Sequence, residues 1–147
     1  MKKKKVFIVL LSSVIILIGG YFGWKFYQNT TRTIIPVDDL DKVSIKKENN
    51  QLILVGKAKL DQFERVSNYG AVQINDTLYI YVMKTKSLIK EDGIKENITK
   101  ISVSDSPVSP EKIYLVSGKH IEVKEKDKPK MNYMDVTRYS KKRELIE

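Results

Sequence analysis

Ala71-Val72-Gln73-Ile74-Asn75-Asp76-Thr77-Leu78-Tyr79-Ile80-Tyr81-Val82-Met83 is the stretch whose reading decides the fold. Two β-favouring runs flank Asn75-Asp76-Thr77, which is good turn chemistry, so the segment reads as a β-hairpin. Side chains alternate along a strand, so Leu78, Ile80 and Val82 share one face while Tyr79, Tyr81 and Met83 share the other. The aliphatic face is expected in a core. Tyr79 and Tyr81 are candidates for a contact surface, with packing beneath a loop or second sheet as the preferred reading.

The same grammar extends in both directions. Upstream, Val43 and Ile45 alternate with polar residues, Glu48-Asn49-Asn50 turns the chain, and Gln51–Ala58 returns with the apolar run Leu52-Ile53-Leu54-Val55. Between the two hairpins, Leu60, Phe63 and Val66 recur three apart, which predicts a helical turn or packed loop plugging a core edge. Downstream, Lys84–Asn97 is polar and reads as a long mobile connection, and Lys84, Lys86 and Lys90 within it are candidates for an electrostatic contact. Ile98, Ile101 and Val103 predict another strand. Ile113-Tyr114-Leu115-Val116, a turn at Ser117-Gly118-Lys119, and Ile121 with Val123 predict a third hairpin. The inner faces are expected to use Ile45, Leu54, Ile74, Leu78, Ile80, Val82, Ile101, Leu115, Ile121 and Val123.

The resulting fold class is mainly β: a small antiparallel β-sandwich or partly open barrel of about seven strands. It is expected over residues 42–124. A polar stalk at 28–41 precedes it, where Asp38, Asp39 and Asp41 read as a turn or cap rather than a calcium loop. A charged linker and tail at 125–147 follows, read as a frayed helix or disordered chain.

Residues 1–27 are of a different kind. Lys2–Lys5 precede an apolar run from Val6 to Ile18, interrupted only by the hydroxyls of Ser12 and Ser13, and no charge falls between Val6 and Trp24. As a helix, that span covers about 28 Å, close to a bilayer core of about 30 Å. Val6, Phe7, Leu10, Ile16, Ile18, Tyr21 and Trp24 are the expected membrane anchor, with the aromatic residues at an interface. Lys2–Lys5 outweigh Lys25 and Arg32, so the N-terminus is expected in the cytoplasm and the β domain outside. A cleaved secretory signal is the competing reading, but Ile18-x-Gly20 makes a poor cleavage site.

Composition narrows the function. The chain carries a formal net charge of +9; five of its 27 basic residues (Lys2–Lys5 and Lys25) flank the anchor, which leaves 22 against 18 acidic residues, or +4, from Gln28 onward. That mild, interspersed excess does not point to nucleic acid; it fits an ordinary solvated surface, or attraction to an anionic membrane or wall polymer. With no cysteine and one histidine, the chain has no nucleophile–base set of the usual kind. His120 and Glu122 together supply at most two metal ligands where three or four are needed. Neither a glycine-rich phosphate loop nor a zinc pattern occurs. No catalytic, cofactor or metal residues are therefore assigned, and an envelope hydrolase built on paired acids is the least favoured class.

The layout, Lys2–Lys5 before a short anchor and then hairpins ending in Ile113-Tyr114-Leu115-Val116-Ser117-Gly118, resembles small anchored envelope proteins of Gram-positive bacteria. The resemblance implies a cell-envelope setting and assigns no functional residue. The expected role is a single-pass, extracytoplasmic, non-enzymatic interaction module, accessory or protective, with an envelope protein as partner. Binding of an anionic wall polymer or lipid headgroup through Lys84, Lys86 and Lys90 is the alternative.

Overall fold

The computed structural model describes residues 2–104, 109–118, 121 and 133–145. They form two compact units that divide after Thr31.

The first unit is one helix, α1 (Lys2–Thr31), long and apolar enough to cross a membrane. Its apolar side chains from Val6 to Tyr27 are exposed. The Ser13 hydroxyl donates to the Val9 carbonyl at 2.9 Å, so it brings no unpaired polar group into the apolar run.

The second unit is a β domain. Its strands are β1 (Thr33–Ile34), β2 (Leu40–Glu48), β3 (Gln51–Ala58), β4 (Glu64–Ile74), β5 (Thr77–Lys86), β6 (Gly93–Asn97), β7 (Val103–Ser104), β8 (Lys112–Ser117) and β9 (Lys141–Leu145). A short helix, α2 (Ile98–Ile101), and 3-10 turns at Val37–Asp39 and Tyr133–Arg138 complete it. Seven of these strands have five residues or more, as expected, and they form two sheets rather than a closed barrel. The main sheet runs β7-β4-β5-β8-β9, with β1 also on β5; the smaller runs β2-β3-β6.

Both hairpins nearest the deciding stretch form. Glu48 pairs with Gln51, and Asn49 and Asn50 both take positive φ (51° and 62°), the conformation that two-residue hairpin turns require and asparagine tolerates. Ile74 pairs with Thr77 around Asn75-Asp76, where Asn75 alone takes positive φ (56°). A bulge in β2 between Asp41 and Ser44 places Lys42 at φ 50° and lays Val43 on Gly56, where a Cβ would stand 2.7 Å from the Val43 Cα.

One core lies between the sheets. Ile45, Leu54 and Ile94 of the small sheet meet Ala71, Leu78, Ile80, Val82, Ile113, Leu115 and Leu145 of the main one. A second cluster lies on the opposite face of the main sheet, built on Val72, Tyr81, Met83 and Val116 and covered by Ile121 and Val136. The main sheet is thus buried on both faces, which accounts for the continuous apolar character of Leu78–Met83.

Several expectations change. Two pairings are parallel: β5 with β8 and β4 with β7. Parallel neighbours need a long crossover, here through β6, α2 and β7, and local turn signals cannot reveal one. The stretch Lys84–Asn97 is not a long loop. β5 continues to Lys86, and β6 pairs with β3 while burying only Ile94 fully, so its charged outward residues mimic loop composition. Ile98 and Ile101 lie in α2 rather than a strand, because the Asn97 side chain accepts from the Lys100 amide (3.1 Å) and caps a helical turn. Lys59–Phe63 is a packed loop with no helical turn. Leu60 meets the core, Phe63 points outward, and Val66 is buried as a residue of strand β4, which already begins at Glu64 and so replaces the second half of the expected loop.

The third hairpin is also rewired. β8 lies between β5 and β9, and its antiparallel partner is Lys141–Leu145; of the return strand expected through Ile121 and Val123, only Ile121 lies among the described residues. Ile121 is buried in the second cluster, and Ile74 packs partly against that cluster too. His120, Glu122 and Val123 lie outside the described residues. The segment read as a tail therefore supplies a turn and a strand, and the stalk supplies β1 and the turn at Val37–Asp39. Arg143 ties these ends together by donating to the carbonyls of Leu40 (2.8 Å) and Val37 (3.1 Å), while the Val37 amide donates to the buried Ser117 hydroxyl (3.0 Å).

Candidate functional site

The outer face of the main sheet carries an aromatic cluster. The parallel register sets Tyr79 of β5 beside Tyr114 of β8, with ring centroids 6.2 Å apart and the planes 29° from parallel. Tyr139, between the final turn and β9, lies 6.0 Å from Tyr79. Lys142 of β9 stands over both outer rings, its Nζ 4.7 Å from the Tyr114 centroid and 5.6 Å from that of Tyr139. Rings at these distances attract an ammonium through their quadrupole. The Tyr139 side chain beside the Lys142 ammonium raises its pKa. Burial, then the neighbouring Tyr139, raises that of Tyr79. The three rings are half-buried and Lys142 is exposed, so the cluster presents flat aromatic area and a cation together.

Of the two tyrosines singled out from sequence, only Tyr79 reaches this surface. Tyr81 is fully buried, so it is a packing residue, as preferred, and offers no contact. Its ring crosses onto β4 and covers Gly70, its register partner. Its hydroxyl finds no hydrogen-bond partner among the described residues, and burial drives its pKa upward.

At the far end of β5, Lys84 and Lys86 turn toward Glu64 on β4, with Nζ to Oε2 distances of 3.2 and 3.8 Å. Lys90 is exposed on the loop beyond. Glu64 is buried and also accepts from the Asp61 amide at 3.0 Å. Burial alone raises the carboxyl's pKa, but the Asp61 amide and the two ammonium groups outweigh it and hold it below the ordinary 4.5. With a folded pKa below the unfolded one, the unfolded chain takes up more protons in acid. The stabilisation is complete above pH 4.5 and is lost as pH falls through the depressed folded value. In thermal melts of the full-length protein in detergent micelles, wild-type Tm should drop as the buffer is acidified below that point. Glu64→Gln should melt lower at neutral pH and show a flatter acid slope; equal slopes in the two proteins would remove Glu64 from the acid response.

Among the described residues, no three His, Asp or Glu side chains come close enough to hold a metal ion. Asp38 is paired with Lys141, whose hydrogen bond lowers the carboxyl's pKa, and it sits in the turn expected for the acidic cluster.

The chain matches no family model, no curated protein and no solved structure. The site therefore rests on its own geometry. Tyr114, Tyr139 and Lys142 were not picked out from sequence, because the cluster assembles across a parallel pairing and a C-terminal strand. Its one local signal is the alternation of Tyr114 between Ile113 and Leu115, which repeats that of Tyr79 between Leu78 and Ile80.

Proposed function

We propose that the protein is anchored in the cell membrane by α1 and holds its β domain outside as a non-enzymatic interaction module of the envelope, accessory or protective in role. The observation that carries this reading is the Tyr79-Tyr114-Tyr139 cluster with Lys142 on an outer sheet face. Half-exposed tyrosines are enriched at protein contact surfaces, where rigid rings supply contact area at low entropic cost. The N-in orientation rests on Lys2–Lys5. Lys84 and Lys86 are engaged by Glu64, which leaves the wall-polymer alternative less charge to work with.

The chain has no cysteine, so a cysteine placed at exposed Asn50 should react with a membrane-impermeant thiol reagent on intact cells. Labelling only after lysis would reverse the orientation. A photo-reactive amino acid at Lys142 should then give a discrete protein adduct that survives high salt, with none from Lys57 on the small sheet. Equal adducts from both sites would overturn the contact surface. Capture of only anionic polymer, released by salt, would replace this reading with the alternative.

A further inference from the structure

Among the described residues outside α1, three large apolar side chains are left in water: Leu88 and Ile89, each 77% exposed, and Phe63 at 57%. They lie on two adjoining loops, since the Ser87 amide donates to the Phe63 carbonyl at 2.8 Å. The register Glu64↔Lys86 puts both loops at one end of the main sheet. That end is also where the chain joins the apolar helix. β1 runs antiparallel to β5 with Thr33 opposite Lys84, so the chain running back from Thr33 to Arg32 heads past Thr85 in the direction of Lys86 and Leu88. α1 ends at Thr31, so the eight-residue step from Trp24 to Arg32, the first residue of the β domain, spans about 12 Å at the helical rise. The headgroup layer beyond the hydrocarbon is itself some 5–7 Å deep on each side.

We propose that Phe63, Leu88 and Ile89 form a tip that inserts into the headgroup layer of the bilayer that α1 crosses, with exposed Lys90 beside it meeting anionic lipid phosphates. Apolar side chains beside an exposed lysine suit this boundary because the hydrocarbon leaves water while the ammonium group stays with the headgroups. This rests on the anchor reading, and its consequence is a β domain held against the membrane at two places.

The test uses full-length protein in vesicles of phosphatidylcholine and phosphatidylglycerol in equal parts. A polarity-sensitive fluorophore goes on a single cysteine at Leu88 or Ile89, or at exposed Lys112. Lys112 pairs with Thr77 at the opposite end of β5, roughly 30 Å away. Probes at Leu88 and Ile89 should emit to the blue of that at Lys112 and be quenched several-fold more by lipids carrying a nitroxide near the headgroup. A probe at Phe63 should lose its blue shift when Leu88 and Ile89 are both serine. Emission and quenching at Leu88 matching Lys112, in protein that still floats with the vesicles after alkaline washing, would overturn the tip and leave the anchor intact. Protein stripped by that washing would overturn the anchor instead. A blue shift that persists in lipid-free micelles and rises with protein concentration would place a second copy of the chain on the tip and overturn the proposal.

Discussion

Gly70→Ala unfolds the β domain or leaves it barely folded. Gly70 sits within β4 opposite Tyr81, and a Cβ there would stand 1.9 Å from two ring carbons and 2.2 Å from the hydroxyl. The ring has nowhere to go. It is fully buried, with Val72, Met83, Val116 and Val136 in the same cluster. Overpacking a buried site costs about 1–3 kcal/mol and more where neither group can move, against a whole-domain stability of about 5–15 kcal/mol. A loss of about 3 kcal/mol or more is therefore expected. Near-UV circular dichroism of the full-length protein in micelles reads the result, because tyrosines dominate the β domain while the only tryptophan, Trp24, lies in the helix. Two companion variants sharpen it. Tyr81→Phe removes a buried hydroxyl that has no partner among the described residues and should be neutral or stabilising by up to about 1 kcal/mol. Tyr81→Ala in the Gly70→Ala background should cost much less than the two changes summed, because the clash is gone. Additive costs would show that the ring does not rest on Gly70.

Deleting residues 139–147 should cost nearly as much. Read as a charged tail, this segment would be dispensable; as β9 it closes the sheet. Its loss strips the antiparallel partner from β8, takes Leu145 from the inter-sheet core, and removes both Arg143 hydrogen bonds to the opening turn. Burial of one leucine is worth about 1.5–3 kcal/mol and a charged hydrogen bond about 1.5–3 kcal/mol, so the sum approaches the stability of a small domain. The truncated protein should reach the membrane through α1 but lose its tyrosine near-UV signal and become sensitive to protease at low concentration. Wild-type resistance in the truncated chain would mean that β9 contributes little.

These two cases mark where the sequence could be read and where it could not. Hairpins with their own turn chemistry, Glu48–Gln51 and Ile74–Thr77, were legible because the asparagines at positive φ and the period-two alternation sit within a few residues of each other. The long apolar run ahead of Trp24 was legible for the same reason. β9 was not, since Lys141-Lys142-Arg143-Glu144 are all exposed on an edge strand and only Leu145 is buried. A strand of that kind looks like tail until its partner is known. β6 was hidden likewise, with Ile94 as its one fully buried residue. The candidate site suffered most. Tyr79 carried a visible alternation, but its neighbours Tyr114, Tyr139 and Lys142 come from up to sixty-odd residues away through a crossover. Lys84 and Lys86 looked like free surface charge because their counter-ion, Glu64, lies on another strand.

The fastening of Val37 by Ser117 and Arg143 also sets a clock. These contacts span 80 and 106 positions, and β8 waits for β9. During synthesis the apolar helix leaves the ribosome more than a hundred residues before β9, the strand that completes the main sheet. Contacts this distant in sequence close slowly, since the intervening loop entropy must be lost before they reward it. The helix can therefore be delivered to a membrane while the strands of the β domain are still an open chain, and the domain acquires its final shape only once β9 has arrived on the same side.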